Sequence, residues 1–232
     1  LIMTHHADAL RLQLASGPKS GTQIGKAIGL SQPTVTRALA AMGEEVMKTG
    51  QKKSSRYFLR DRNRGFDHVP VFRVDSAGKV KELGELTPVR PDGFVFTPSN
   101  GQQIYSQSIP WWLLDMLPQG FLGRAYAARY GAALGLPSAL KEWSDSHALR
   151  ALLVHGHDLV GNLLIGTLAR DQFISAPEPD FIREIDKAMA FVTLAANASA
   201  GDVPGSSAGG EQPKFTAYVE SAGEGRHVIV KF

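Results

Sequence analysis

Ser31-Gln32-Pro33-Thr34-Val35-Thr36-Arg37-Ala38-Leu39-Ala40-Ala41-Met42 is the stretch that decides how the start of this chain folds. Ser31 stands where a helix N-cap belongs, and Pro33 falls in the first turn, where its missing N–H is not needed. Val35, Leu39 and Met42 share one face at helical spacing, which leaves Gln32, Thr34, Thr36 and Arg37 largely to the other. Working backwards, Gly29-Leu30 makes a turn. A helix carrying Ile24, Ala27 and Ile28 precedes it, capped by Ser20 or Thr22. A first amphipathic helix runs from His5 to Ala15 and is stopped by Gly17-Pro18. Working forwards, the period changes to two after Gly43. Val46 and Tyr57-Phe58-Leu59 flank a polar, basic tip from Lys48 to Arg56, the pattern of a β-hairpin. A helix, a helix-turn-helix and a basic hairpin together make a winged helix-turn-helix.

The whole chain has 232 residues, 43% hydrophobic and 20% charged, so it is long enough for one or two domains with a real core. With no cysteine, disulfide scaffolds, thiolate metal sites and cysteine nucleophiles are excluded. No apolar run reaches the ~18–20 residues of a membrane helix, and no signal peptide is visible, so a cytoplasmic location is expected and no membrane partner. The net charge of +3 hides an asymmetry. Residues 1–64 carry 11 Lys and Arg against 4 Asp and Glu, a balance of +7, and the remainder carries −4. A basic unit of residues 1–64 joined to an acidic one of residues 65–232 suggests a polyanion for the first.

A helix-turn-helix places the exposed start of its second helix in the DNA major groove. Here that start offers Gln32 and Arg37 to base edges, and Ser31, Thr34 and Thr36 to phosphates. Lys48, Lys52, Lys53 and Arg56 of the wing add backbone contacts. DNA is therefore the expected partner of residues 1–64, although winged helices also serve as protein-binding modules. One copy makes few base contacts, which points to a homodimer for sequence-specific binding.

Residues 60–68 are charged and read as a linker. From Val69 short strands recur between turn signals at residues 76–78, 90–93 and 98–101. A helical stretch spans Trp111–Leu136, interrupted at Pro118-Gln119-Gly120. Residues 149–168 hold an apolar helix or strand, a turn at His155–Asp158 and a strand at Leu159–Gly166. Phe181–Ala196 reads as another helix. Ser144-Asp145-Ser146-His147 reads as a helix cap or loop. His155-Gly156-His157-Asp158 reads as a tight turn and no metal site, and Trp111-Trp112 as core or an interdomain face.

The C-terminal segment carries the chemistry. Ser206, Ser207, Ala208, Gly209 and Gly210 let backbone N–H groups approach an anion, Gln212 follows, and Lys214 adds charge at the loop's exit. A hairpin of Phe215–Val219 and His227–Phe232 turning at Gly223 sets Lys231 across from Phe215, so its ammonium returns to the base of the loop. Lys231 shares a face with Ile229. A glycine-rich loop with a strand lysine is how protein kinases hold ATP phosphates. The loop is neither a Walker A sequence nor GxGxxG, and such loops also occur as linkers.

The Ser-x-Ala-Gly…Gln-x-Lys pattern at Ser206–Lys214, with the strand Val228-Ile229-Val230-Lys231-Phe232, resembles the HipA family of serine/threonine kinase toxins. Asp115–Gly120 resembles that family's Leu-Pro-Glu-Gly turn, and Gly156–Leu163 its Gly-x-Asp-x-x-Gly stretch. The winged helix points to the HipH or YjjJ subgroup. The resemblance implies an α+β fold: an N-terminal winged helix-turn-helix, a β-rich subdomain and the start of a kinase-like N-lobe. It implies that Lys231 pairs the ATP phosphates, that Ser206 or Ser207 is autophosphorylated, and that the partners are a protein substrate and an antitoxin. The last role is open to the winged helix itself, acting within the chain. The catalytic aspartate, the Mg²⁺ ligands and the C-terminal lobe are expected beyond residue 232, so the chain is expected to be a piece. The reading from another class is a non-catalytic winged-helix transcriptional regulator with a ligand- or protein-binding second domain.

Overall fold

The computed structural model describes residues 2–51, 54–177, 181–200 and 210–232. It is a mixed α+β structure whose strands pair mostly antiparallel. Two compact units result, Leu1–Val71 with Glu82–Pro110, and Phe72–Lys81 with Trp111–Phe232.

In the first unit, α1 (Ile2–Ala15), α2 (Gly21–Ile28) and α3 (Gln32–Ala41) precede a hairpin of β1 (Val46–Thr49) and β2 (Arg56–Leu59). The caps explain the helix starts. Ser20 accepts from the Gln23 N–H while the Gln23 side chain accepts from the Ser20 N–H, closing a capping box. Gly29, at φ +70°, supplies the left-handed residue that ends α2. Ser31 sits at the start of α3 but makes no cap bond, because its hydroxyl is engaged 2.9 Å from the Thr34 hydroxyl. Leu10, Leu14, Ile24, Val35, Leu39 and Met42 form the buried core of the three helices. Lys19 exchanges two backbone hydrogen bonds with Tyr57, so the segment between α1 and α2 joins the hairpin as a short third strand.

The strands β3 (Val69–Val74), β4 (Val80–Val89), β5 (Gly93–Pro98), β6 (Ile104–Ser106) and β7 (Leu163–Ile165) make one sheet in the order β6-β5-β4-β3-β7. The expected turns fall between β3 and β4, β4 and β5, and β5 and β6. The expected boundary at residue 64 does not coincide with the division into compact units. Met47 and Phe58 of the hairpin share a core with Val89 and Val95 of β4 and β5, packed by Tyr105.

Residues 60–68 are correspondingly not a solvated linker. A short 3₁₀ turn, Arg62–Arg64, follows Asp61, and the Asp61 and Arg64 side chains are each 7% exposed. Arg64 donates to Asp61 at 3.0 Å and to the carbonyls of Val89, Pro91 and Asp92, with its guanidinium 4.9 Å over the Phe94 ring. Charge read as solvent exposure; here it is a buried, fully bonded anchor.

The second unit holds α4 (Gly120–Tyr130), α5 (Asp145–His155), α6 (Thr167–Ser175), α7 (Lys187–Ser199) and the hairpin β8 (Lys214–Ser221) and β9 (Glu224–Lys231). Ser144 and His147 close a capping box, which makes residues 144–147 the start of α5. The strand read at Leu159–Gly166 shrinks to Leu163–Ile165. Gly161 at φ +124° and Gly166 at φ +86° are both outside strand geometry. The helix read from Phe181 starts instead at Lys187, because Ile182 pairs with β8 through bonds to Tyr218 and Glu220. Trp111 is 79% exposed rather than core, while Tyr126 is buried and Phe121 packs on the core of Leu122, Ala198 and Phe215.

Candidate functional site

Three short motifs distant in sequence meet in the second unit. Gly120 opens α4 at φ +62°, and a Cβ placed there would lie 2.4 Å from the Gly210 carbonyl oxygen. No side chain caps α4. Instead the Phe121 N–H, one of the unsatisfied donors of a helix start, donates to the Gly210 oxygen at 3.1 Å. Lys214 Nζ donates to the same oxygen at 3.1 Å, so two donors converge on it. Arg124, one turn into α4, pairs with Glu211 at 2.5 Å. Gly161 packs on the first of these motifs, where a Cβ would lie 2.8 Å from Met116 Cγ. The Asp115–Gly120 segment therefore neighbours both Gly156–Leu163 and Gly210–Lys214.

The hairpin fixes the lysines. Its turn has two central residues, Ala222 at φ 54° and Gly223 at φ 83°, both left-handed as a type I′ turn requires. Lys231 therefore pairs with Lys214, and Phe215 with Val230, one position away from the pairing read in the sequence. A turn centred between two residues moves every partner by one. Lys231 stays at the exit of the loop, and the Phe232 N–H donates to the Pro213 carbonyl at 3.1 Å. Phe215, Ala217, Val219 and Val230 take the covered face, while Lys231 and Ile229 are exposed on the other. Lys214, on the Lys231 face, is 2% exposed, so the lysine read as an exit charge is enclosed. Ser206, Ser207, Ala208 and Gly209 lie outside the described residues; Gln212 is exposed. Gly120, Phe121, Arg124 and Glu211 were not singled out as site residues. The positive φ that Gly120 needs leaves only a glycine as its trace in sequence.

On the first unit, Gln32, Thr36, Arg37, Lys48 and Arg56 are exposed, and Ser31 and Thr34 bond to each other. The Gln32 amide lies against Gly21 at the start of α2. Lys52 and Lys53 lie outside the described residues.

Elsewhere, the Tyr126 hydroxyl and His155 Nδ1 share a hydrogen bond of 2.8 Å. Burial, with Tyr130 adding to it, pushes the Tyr126 hydroxyl well above its ordinary range. Burial and then His157 push the His155 imidazole below its own, so this pair stays neutral. Residues 155–158 are the end of α5 and a 3₁₀ turn. Among the described residues no helix is long and apolar enough to cross a membrane.

Residues 66–174 match the family model described as the YjjJ-like toxin, middle domain. Over 220 residues, 94% of this chain, the sequence is 36% identical to Toxin YjjJ of Escherichia coli strain K12. The chain is similar to the YjjJ toxins. It spans about half the length of that curated relative, 49%. At 94% of this chain, the match to the YjjJ protein extends beyond the middle domain. No solved structure matches.

Proposed function

We propose that this chain carries the DNA-binding and nucleotide-holding parts of a YjjJ-type toxin that acts as a HipA-like serine/threonine kinase. The observation that carries the reading is the meeting of the Asp115–Gly120 and Gly210–Lys214 motifs at Gly210, with Lys231 registered at the exit of the same loop. Gly120 and Gly210 leave the backbone bare where a phosphate-holding loop needs close approach. The exposed Lys231 ammonium, on the open face of the hairpin, holds phosphate oxygens, and Lys214 and Phe121 fix the loop's end by its Gly210 carbonyl. ATP, when bound, supplies the phosphoryl group for a protein hydroxyl. Phosphorylation of Ser206 or Ser207 adds negative charge to the loop and works against its phosphate-holding role.

The test is Lys231→Ala in a protein of the full length of the YjjJ relative. Because Lys231 is exposed, the variant folds; γ-phosphate transfer and growth inhibition are both lost. Undiminished transfer overturns the kinase reading and leaves the non-catalytic regulator.

The three helices and hairpin of the first unit support a winged helix-turn-helix, with Gln32 and Arg37 toward base edges and Thr36, Lys48 and Arg56 toward phosphates. Neutralising ~4–6 phosphates gives a log–log salt slope of about −0.9 per phosphate, and Arg37→Ala lowers affinity for duplex DNA. Binding that does not change with salt removes the DNA reading.

A further inference from the structure

A groove of about 600 Å³ opens on the first unit between α1, the base of the β1–β2 hairpin and the 60–63 turn. Four arginines line it, Arg11, Arg60, Arg62 and Arg90, against one carboxylate, Glu45. Glu45 is already committed, because Arg11 donates to both of its oxygens at 2.7 and 2.8 Å, and this pairing holds its carboxyl below the usual range.

The other carboxylates near these arginines, Asp61, Glu44, Asp67 and Asp8, stand outside the lining. Asp61 is shared by Arg64 and Arg90, so one carboxylate serves two guanidinium groups. Arg62 reaches Glu44 at 3.3 Å and Asp67 at 3.4 Å, both long contacts. Glu44 and Asp8 are 85% and 73% exposed, hence largely screened by water. Arg60 is the least satisfied. Its Nη1 meets His68 at 2.6 Å and lies 4.0 Å from Asp67, and its buried Nε has no partner among the described residues. A buried donor without an acceptor is unusual. The remaining wall is Asn63 and three apolar residues, Ala15, Leu59 and Leu12, the last 74% exposed on α1.

We propose that this groove binds a small organic anion, with a phosphate or carboxylate head taken by Arg62, Arg90 and Arg60 and an apolar body laid on Leu12. Guanidinium groups favour such heads because each presents parallel N–H donors to two oxygens. An anionic head answers the four arginines of the lining, where Glu45 is the one carboxylate. The site requires neither the kinase nor the DNA reading.

Calorimetric titration of the chain with phenyl phosphate, at ionic strength held constant with NaCl, tests it. Saturable one-site binding is expected, weakened about fivefold or more in Arg62→Gln, as loss of a charge-assisted contact implies. Arg62 is half exposed, so this variant keeps the wild-type urea midpoint. Leu12→Ser lowers affinity for phenyl phosphate while leaving inorganic phosphate unchanged. Benzoate in place of phenyl phosphate separates a carboxylate head from a phosphate one. Displacement by random-sequence duplex DNA assigns the phosphate to a nucleic acid backbone, and its failure assigns it to a free ligand. No saturable binding, or equal binding by wild type and Arg62→Gln, overturns the proposal.

Discussion

Arg64→Ala lowers the stability of the first unit by about 3–5 kcal/mol, the cost of leaving a buried ion pair half made. The substitution removes the Asp61 contact, three hydrogen bonds to the carbonyls of Val89, Pro91 and Asp92, and the stacking on Phe94. Asp61 keeps the Asn63 N–H and, for its charge, Arg90, whose side chain is 37% exposed and so the more weakly held of its two guanidinium partners. Domains have roughly 5–15 kcal/mol in total, so the loss is a large fraction of what is available. Urea denaturation measures it as a lowered midpoint with an unchanged slope. Arg64→Lys keeps the charge but not the forked geometry, and falls between the two. If Arg64→Ala costs less than about 1 kcal/mol, the anchor is a surface ion pair and the 60–68 segment is a linker after all.

Gly120→Ala is the second large effect, because it combines backbone strain with a collision. A left-handed non-glycine residue costs roughly 1–2 kcal/mol. At Gly29, φ +70° and nothing within 4 Å of a new Cβ, alanine meets that strain alone. At Gly120 the new Cβ also meets three backbone atoms of Gly210, between 2.4 and 2.9 Å away. The loop end must then leave the start of α4, which removes the Phe121–Gly210 hydrogen bond and adds about 1 kcal/mol. Gly120→Ala is therefore expected to cost about 2–4 kcal/mol against about 1–2 for Gly29→Ala. Exchange of the Phe121 amide with deuterium should accelerate in the Gly120 variant only. Equal costs at the two glycines, with Phe121 still protected, would show that the close approach contributes nothing.

How much was legible depended on whether the signal was local. The first three helices were, because Ser20 with Gln23 and Gly29 are caps that act within a few residues, and Val35, Leu39 and Met42 mark one buried face. The cap at Ser144 was legible for the same reason. The misreadings arose where a distant partner overrides the local pattern. Arg62–Arg64 looks like solvated charge until β4 and β5 supply the carbonyls that Arg64 bonds. Phe181 and Ile182 look like the first turn of a helix until β8 claims Ile182. Trp111 is exposed, although composition alone would bury it. At the candidate site the loop and Lys231 were visible as residue types. Their anchor was not, because a glycine against a glycine leaves no pattern in either segment.

The Ala222-Gly223 turn works as a parity gauge for the hairpin it closes. With the turn kept at two residues, adding or deleting one residue there would not merely resize a loop; if β8 held its place, alternate side chains of β9 would exchange sides. Lys231 would turn toward Leu122 and Phe191, and Val230 toward water, so one inserted residue costs both the core and the lysine together. Length changes at this tip are tolerable in steps of two, and the lysine's position is inherited from the length of a turn at the far end of the hairpin.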